Sequence, residues 1–184
     1  MSQSSKRERL TEAAKTLFYQ NGVQNTSLAD IAQAAEVPLG NVYYHFKTKD
    51  ALTEAVVAAH AADIHAELAR YNAEADSRKR LQAFVRRGLP HKDQLVRFGC
   101  PYITLCAELA KGDARTAESA AILFNLYLEW LGRQFRNLGR ADAADLALET
   151  FSSVQGAFVI AHTTRDARLL EQQTARLEGW LDGL

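Results

Sequence analysis

Apolar residues return at steps of three and four through nearly the whole chain, and no stretch sustains an apolar/polar alternation, so the pattern predicts helices and no sheet. The first stripe is Leu10, Ala13, Ala14, Leu17 and Phe18, opened by the capping box Ser5-x-x-Glu8 and closed by Gly22. A second stripe, Leu28, Ile31, Ala32 and Ala35, starts behind Ser27, with Asp30 three residues on as a partial capping box. After the turn at Glu36 and Val37, Pro38 predicts the first position of a short third helix reaching Phe46, because its fixed φ and missing N–H cost nothing there. Val42 and Phe46, four apart, anchor this helix inward. Leu39, Gly40, Asn41, Tyr43, Tyr44 and His45 are left at its entry or outer face.

Thr48 is the expected cap of a long fourth helix from Lys49 to about Tyr71, with Leu52, Val56, Ala59, Ile64 and Leu68 inside. Between Asp76 and Arg97 the residues Arg78, Lys79, Arg80, Arg86, Arg87, Lys92 and Arg97 interleave with Leu81, Phe84, Val85 and Leu89, which predicts a solvated basic helix face. Pro101 opens a helix through Lys111, and Gly112-Asp113 closes it. From Arg115 onward Ala117, Ala121, Phe124, Leu128, Leu131, Phe135 and Leu138 form a coiled-coil-like seam, with Leu123, Tyr127 and Trp130 as a second apolar line. After Gly139 the line is Ala147, Phe151, Val154, Phe158 and Ala161, and Gly156 suits a close helix crossing. One chain does not easily cover both faces of both helices. Phe124, Leu128, Leu131, Phe135, Phe151, Val154 and Phe158 are therefore the expected homodimer interface, half of a four-helix bundle about a twofold axis. A last helix, Asp166 to Leu184, packs through Leu170, Leu177, Trp180, Leu181 and Leu184.

Composition narrows the class. With 184 residues, 47% of them apolar, and three prolines, a disordered reading fails. Lys plus Arg equal Asp plus Glu at 22 each, so nucleic-acid binding would rest on a local patch rather than a global basic field. No apolar run approaches the ~18 residues of a membrane span, and the start Ser2 to Arg9 is polar, which points to the cytoplasm and to no membrane partner. Two cysteines imply no disulfide framework. The resulting fold class is all-α, with a helix-turn-helix domain over residues 1–50 and a ligand-binding and dimerisation domain over 51–184, linked by helix 49–71.

A short helix ringed by aromatic hydroxyls, followed by Lys47 and Lys49 and tethered to a partner helix, has the form of a DNA reading head. The run Val37-Pro-Leu-Gly-Asn-Val-Tyr-Tyr-His-Phe-Lys-Thr-Lys-Asp-Ala-Leu52 resembles the signature of TetR-type transcriptional regulators, whose recognition helix ends in a Tyr-x-His-Phe-like motif followed by Lys and an acidic residue. The resemblance is specific over residues 6 to 55 and architectural beyond. It implies a homodimeric repressor on a palindromic double-stranded DNA operator, released by a small-molecule effector and needing no cofactor, with the fourth helix carrying the signal between the two parts.

Thr26, Ser27, Tyr43, Tyr44, His45, Lys47 and Lys49 are the candidate phosphate contacts, and the resemblance supports Tyr43, His45 and Lys49 most directly. Lys6, Arg7 and Arg9 are either further phosphate ligands or a solvated helix start. Leu39, Gly40 and Asn41 are the candidate base readers: Asn41 for an adenine edge, Leu39 for a thymine methyl, Gly40 for close approach. Pro38 stands where the family commonly has a capping Ser or Thr, and Leu39 where it commonly has a polar residue, so affinity is expected to come mainly from phosphates.

Phe84, Tyr102, Cys106, Phe124 and Tyr127 are candidates for an effector pocket or for plain core. Cys100, just before a helix start, is a candidate reactive thiol, which gives the alternative of a thiol-responsive repressor. His60, Asp63 and Glu67 share a helix face that reads as a solvated stripe rather than a metal edge. No catalytic or phosphate-loop motif occurs, so the chain is expected not to be an enzyme. The remaining alternatives are a DNA-binding structural protein of the same fold and a helical ligand carrier or enzyme whose head is vestigial.

Overall fold

The computed structural model describes residues 5–112 and 114–184, which form helices, turns and loops with no strand among them. The stretch Ser2 to Ser4 and the helix stop expected at Asp113 lie outside the described residues. The helices are α1 Lys6–Asn21, α2 Leu28–Ala34, α3 Leu39–His45, α4 Lys49–Tyr71, α5 Ser77–Val85, α6 Lys92–Phe98, α7 Pro101–Leu109, α8 Ala114–Asn137, α9 Ala143–Thr164 and α10 Ala167–Asp182, with a 3-10 turn Arg86–His91 between α5 and α6. The chain divides into two compact units: the N-terminal part through Ala62 together with Thr104–Ile122, and Asp63–Ile103 together with Leu123–Leu184. That division is discontinuous in sequence, unlike a single cut after residue 50.

In the first unit local chemistry sets the helix ends. Ser5 Oγ accepts from the Glu8 N–H at 3.2 Å and the Glu8 carboxylate accepts from the Ser5 N–H at 2.8 Å, completing the capping box. Gly22 ends α1 at φ 83°, a backbone angle that a side chain resists. Ser27 and Asp30 repeat the box at α2. Pro38 sits one residue earlier than expected, as the extended N-cap of α3 rather than its first turn. α1 packs on α2, and α2 on α3. Leu10, Ala14, Phe18, Ile31, Ala32, Val42 and Phe46 are buried, each of the larger ones contributing roughly 1.5–3 kcal/mol. The loop from α1 to α2 is held from α7: the Glu108 carboxylate accepts from the N–H groups of Val23 at 2.7 Å and Gln24 at 3.3 Å. A Cβ on Gly22 would stand 2.5 Å from Glu108 Oε1, so a side chain there would displace the carboxylate that holds the loop.

In the second unit α9 packs on α10 and α6, and α5 packs on α10. The seam expected to lie between two copies closes inside one chain. Leu131 and Phe135 have no exposure and Phe151, Val154 and Phe158 at most 5%, with Phe135 against the Trp180 ring of α10. Phe124 and Leu128 are half-buried, and the Phe124 ring meets Phe151 at 5.2 Å. α10 supplies the cover that the heptad spacing had assigned to a partner. Gly156 makes no close crossing, since nothing stands within 4 Å of its Cβ position; the glycine under pressure is Gly88, where a Cβ would overlap the Phe158 ring. Arg80, Arg86 and Lys92 make exposed pairings, while Arg78 and Arg87 turn inward. Arg78 donates to the carbonyls of Leu181 and Asp182 and so caps α10, and Arg87 is buried.

Candidate functional site

The outer face of α3 is built by exclusion. Val42 and Phe46 take the inner positions, and the residues between them turn outward: Leu39 is 43% exposed, Tyr43 48% and Tyr44 79%. Gly40 and Lys47 are exposed, Asn41, His45 and Lys49 half-buried. The Tyr44 and His45 rings meet edge to face at 5.1 Å at the end of the helix. Ser27 is exposed, with its hydroxyl donating to Asp30 at 2.6 Å and accepting from the Asp30 N–H. Thr26 is different. It is 2% exposed and its hydroxyl donates to the Gly22 carbonyl at 2.8 Å, so it braces the loop and its side chain reaches no phosphate. At the start of α1, the Arg7 guanidinium lies 4.6 Å from the Phe46 ring centre and Arg9 donates to the Glu36 carbonyl at 3.3 Å, which places both cations beside the second and third helices.

The second unit carries a buried polar cluster that the sequence reading did not assemble. Glu67 accepts from the Tyr71 hydroxyl at 2.5 Å and from the Tyr127 hydroxyl at 2.6 Å. Arg87 donates through Nη2 to the Tyr127 oxygen at 2.8 Å, and its Nε stands 3.5 Å from Glu67. The guanidinium lies 4.3 Å from the Tyr127 ring centre, with Phe84, Tyr102 and Phe158 within 6 Å. Burial works against the Arg87 charge, and the Tyr127 oxygen and Glu67 carboxylate outweigh it, so the group stays protonated. Desolvation lifts Tyr71 and Tyr127 far above the usual phenol range and Tyr102 to about 12, which keeps all three neutral. A signal was present: Arg87 lies three residues after Phe84 on the apolar face of its turn, and Glu67 lies between Ile64 and Tyr71 on α4.

Of the residues expected near a pocket, Phe84, Tyr102, Phe124 and Tyr127 fall in this unit, and the first two and Tyr127 border Arg87. Cys106 does not join them; it belongs to the other unit, where its thiol donates to the Ala120 carbonyl at 3.3 Å. Cys100 is buried, and desolvation pushes its thiol up, more strongly than Arg87 and the N–H groups of Ile103 and Tyr102 pull it down. That disfavours the reactive thiolate expected from its place at a helix start. Glu67 likewise leaves the solvated stripe assigned to it, and no cluster of metal-ligating side chains occurs among the described residues.

Residues 10–56, which span α1 from Leu10 onward, all of α2 and α3 and the first turns of α4, match the family of bacterial regulatory proteins called the tetR family. This N-terminal segment belongs to the TetR family. TetR-family relatives include the transcriptional regulator TtgR of Pseudomonas putida, 45% identical over 51 residues, 28% of this chain and 24% of TtgR. The transcriptional repressor NemR of Escherichia coli is 30% identical over 106 residues, 56% of this chain and 53% of NemR. The matched segments thus span between a quarter and about half of these relatives' length. Solved structures share the fold beyond the head. A TetR regulator from Legionella pneumophila superposes with a TM-score of 0.84 at 23% identity, covering 100% of this chain and 98% of its own. The reduced form of E. coli NemR superposes with a TM-score of 0.85 at 23% identity, covering 95% of each chain. These two likenesses establish the all-α architecture, and the sequence match establishes the TetR-family head.

Proposed function

We propose that this chain is a cytoplasmic TetR-family repressor that binds a palindromic operator as a homodimer and is released by a small organic effector, with no catalytic activity of its own. The observation that carries the reading is the outward face of α3, where Leu39, Tyr43 and Tyr44 stand exposed on a helix whose inner side is fully buried. A folded domain rarely leaves two tyrosines and a leucine on one short helix unless something docks there.

In this reading Ser27, Tyr43, Tyr44, His45, Lys47 and Lys49 hold phosphates, Leu39, Gly40 and Asn41 meet base edges, and Thr26 acts only through the loop. Two heads then meet half-sites about one helical turn, ~34–36 Å, apart. The effector binds among the rings around Arg87 and favours the conformation with the lower operator affinity.

Selection of bound duplexes from random DNA tests this directly. The expected product is an inverted repeat bound by two chains, with affinity falling steeply as salt rises and with Lys47→Gln, which removes one phosphate contact from each chain, reducing the log–log salt slope by about 1.8. Selection yielding no enriched duplex, or binding indifferent to salt, rules the reading out.

A further inference from the structure

Two buried polar side chains of the second unit have hydrogen-bonding atoms with no protein partner. Arg87, whose side chain is 6% exposed, uses Nε and Nη2 but has nothing on Nη1. Gln155, 7% exposed, has neither its amide nitrogen nor its amide oxygen bonded. They belong to one neighbourhood. Gln155 sits one turn from both Phe151 and Phe158 on the buried face of α9. Phe158 is 5.8 Å from the Arg87 guanidinium, and Phe151 stacks at 5.8 Å on Tyr127, which Arg87 itself covers. Buried polar groups in folded proteins are nearly always paired, so an unpaired donor together with an unpaired amide inside a shell of rings needs a reason.

We propose that Arg87 Nη1 and the Gln155 amide are the polar anchors of the effector site, and that the effector is a neutral planar aromatic compound bearing a carbonyl oxygen with an adjacent N–H, an aromatic amide or lactam. The inference rests on the ligand-released reading above and gives its ligand a chemistry. The oxygen follows from Nη1, which has only hydrogens to offer. The N–H follows from the Gln155 oxygen, and the matching acceptor from its NH2. The aromatic body follows from the walls, Phe84, Tyr102, Tyr127, Phe151 and Phe158. Neutrality follows from Glu67: Arg87 is already opposed by that half-buried carboxylate, and a second anion beside the buried guanidinium would have no cation of its own. The anchors are sealed in the ligand-free protein, so the ligand enters by parting the rings, with half-buried Tyr102 at the margin. Tyr102 stands in the first turn of α7, the helix whose last turn carries Glu108.

Benzamide is the probe, with benzoate and ethylbenzene as comparisons, read by thermal melting and by the fluorescence of Trp130, whose ring lies 6.1 Å from Phe84. Benzamide is expected to raise the melting temperature and to bind at least about tenfold more tightly than either comparison, the difference of one or two hydrogen bonds. Gln155→Leu is the decisive variant. Removing an unpaired buried amide is expected to raise the melting temperature of the ligand-free protein while weakening benzamide about tenfold, whereas a structural glutamine would lose stability. Arg87→Lys, which keeps the charge opposite Glu67, is expected to weaken benzamide as well. No response to benzamide, equal binding of ethylbenzene or benzoate, or a Gln155→Leu variant that is less stable or binds benzamide unchanged overturns the proposal. Shifts of the selected duplex on the same preparations separate the two readings. DNA binding without a benzamide response removes the anchor assignment alone, and benzamide discrimination without DNA binding removes the repressor alone.

Discussion

The Tyr127 hydroxyl accepts from Arg87 and donates to Glu67, so its removal leaves a buried cation and a half-buried carboxylate short of a partner at once. Tyr127→Phe keeps the ring, which stacks on Phe151 and packs against Phe84, and is therefore a clean deletion of the oxygen. The expected cost is about 2–3 kcal/mol in urea unfolding, the range for hydrogen bonds to charged groups. Tyr71→Phe is expected to cost only about 1 kcal/mol, because the Glu67 oxygen it serves keeps Arg87 nearby. Equal losses in the two variants would show that Tyr127 does not bridge the pair. At this scale the sequence was hard to read. An arginine between apolar residues looks the same whether its head reaches water or folds inward, and only a carboxylate twenty residues away on another helix decides which.

Helix ends, by contrast, were legible, because the chemistry that makes them lies within three or four residues. Ser5, Ser27 and Thr48 each accept the expected backbone N–H, and Gly22 and Gly139 each take the positive φ at which their helices stop. The α8 and α9 seams were misassigned for the complementary reason: a stripe spaced for burial says that something covers it, not which element does. α2 offers a test of how far a local cap supports the head. Hydrogen bonds from the Ser27 side chain and backbone hold Asp30 below the ordinary carboxylate value of 3.8. A lowered folded-state value means that the cap's contribution is complete above the ordinary value and is lost as pH falls through the folded one. Acid melting of the wild type is expected to steepen below pH 3.8, and Asp30→Asn, which has no charge to lose, is expected to flatten that part of the profile. Superimposable profiles would mean that the carboxylate charge does nothing for the helix.

At the scale of the whole molecule the apolar surface that remains is what a second copy would cover. Leu148 and Val159 lie eleven residues apart on α9, three turns along one face, and are 57% and 46% exposed; Ile160 beside them is 53% exposed. Next to them a groove of ≈ 540 Å³ runs between α9 and α10, lined by Ser153, Gly156, Ala157 and Ile160 on one side and Leu169, Gln172, Gln173 and Arg176 on the other. Open space over Gly156 is unexplained within one chain and suits the approach of a partner backbone. The homodimer expected from sequence is thus proposed on α9 and α10, in place of the α8 and α9 seam, five of whose seven expected interface residues are buried within one chain. Val159→Glu with Ile160→Glu puts two carboxylates into that face. The expected outcome is a light-scattering mass near 20.4 kDa in place of twice that value, with a lower melting temperature that no longer depends on protein concentration, because the stabilisation that association provides is lost. Operator affinity is expected to fall by about 10² or more, since each head then binds its half-site without the effective concentration that its tether to the other provides. A variant that stays dimeric would move the interface elsewhere, and one that turns monomeric but binds the palindrome as tightly would mean that the heads never acted as a pair.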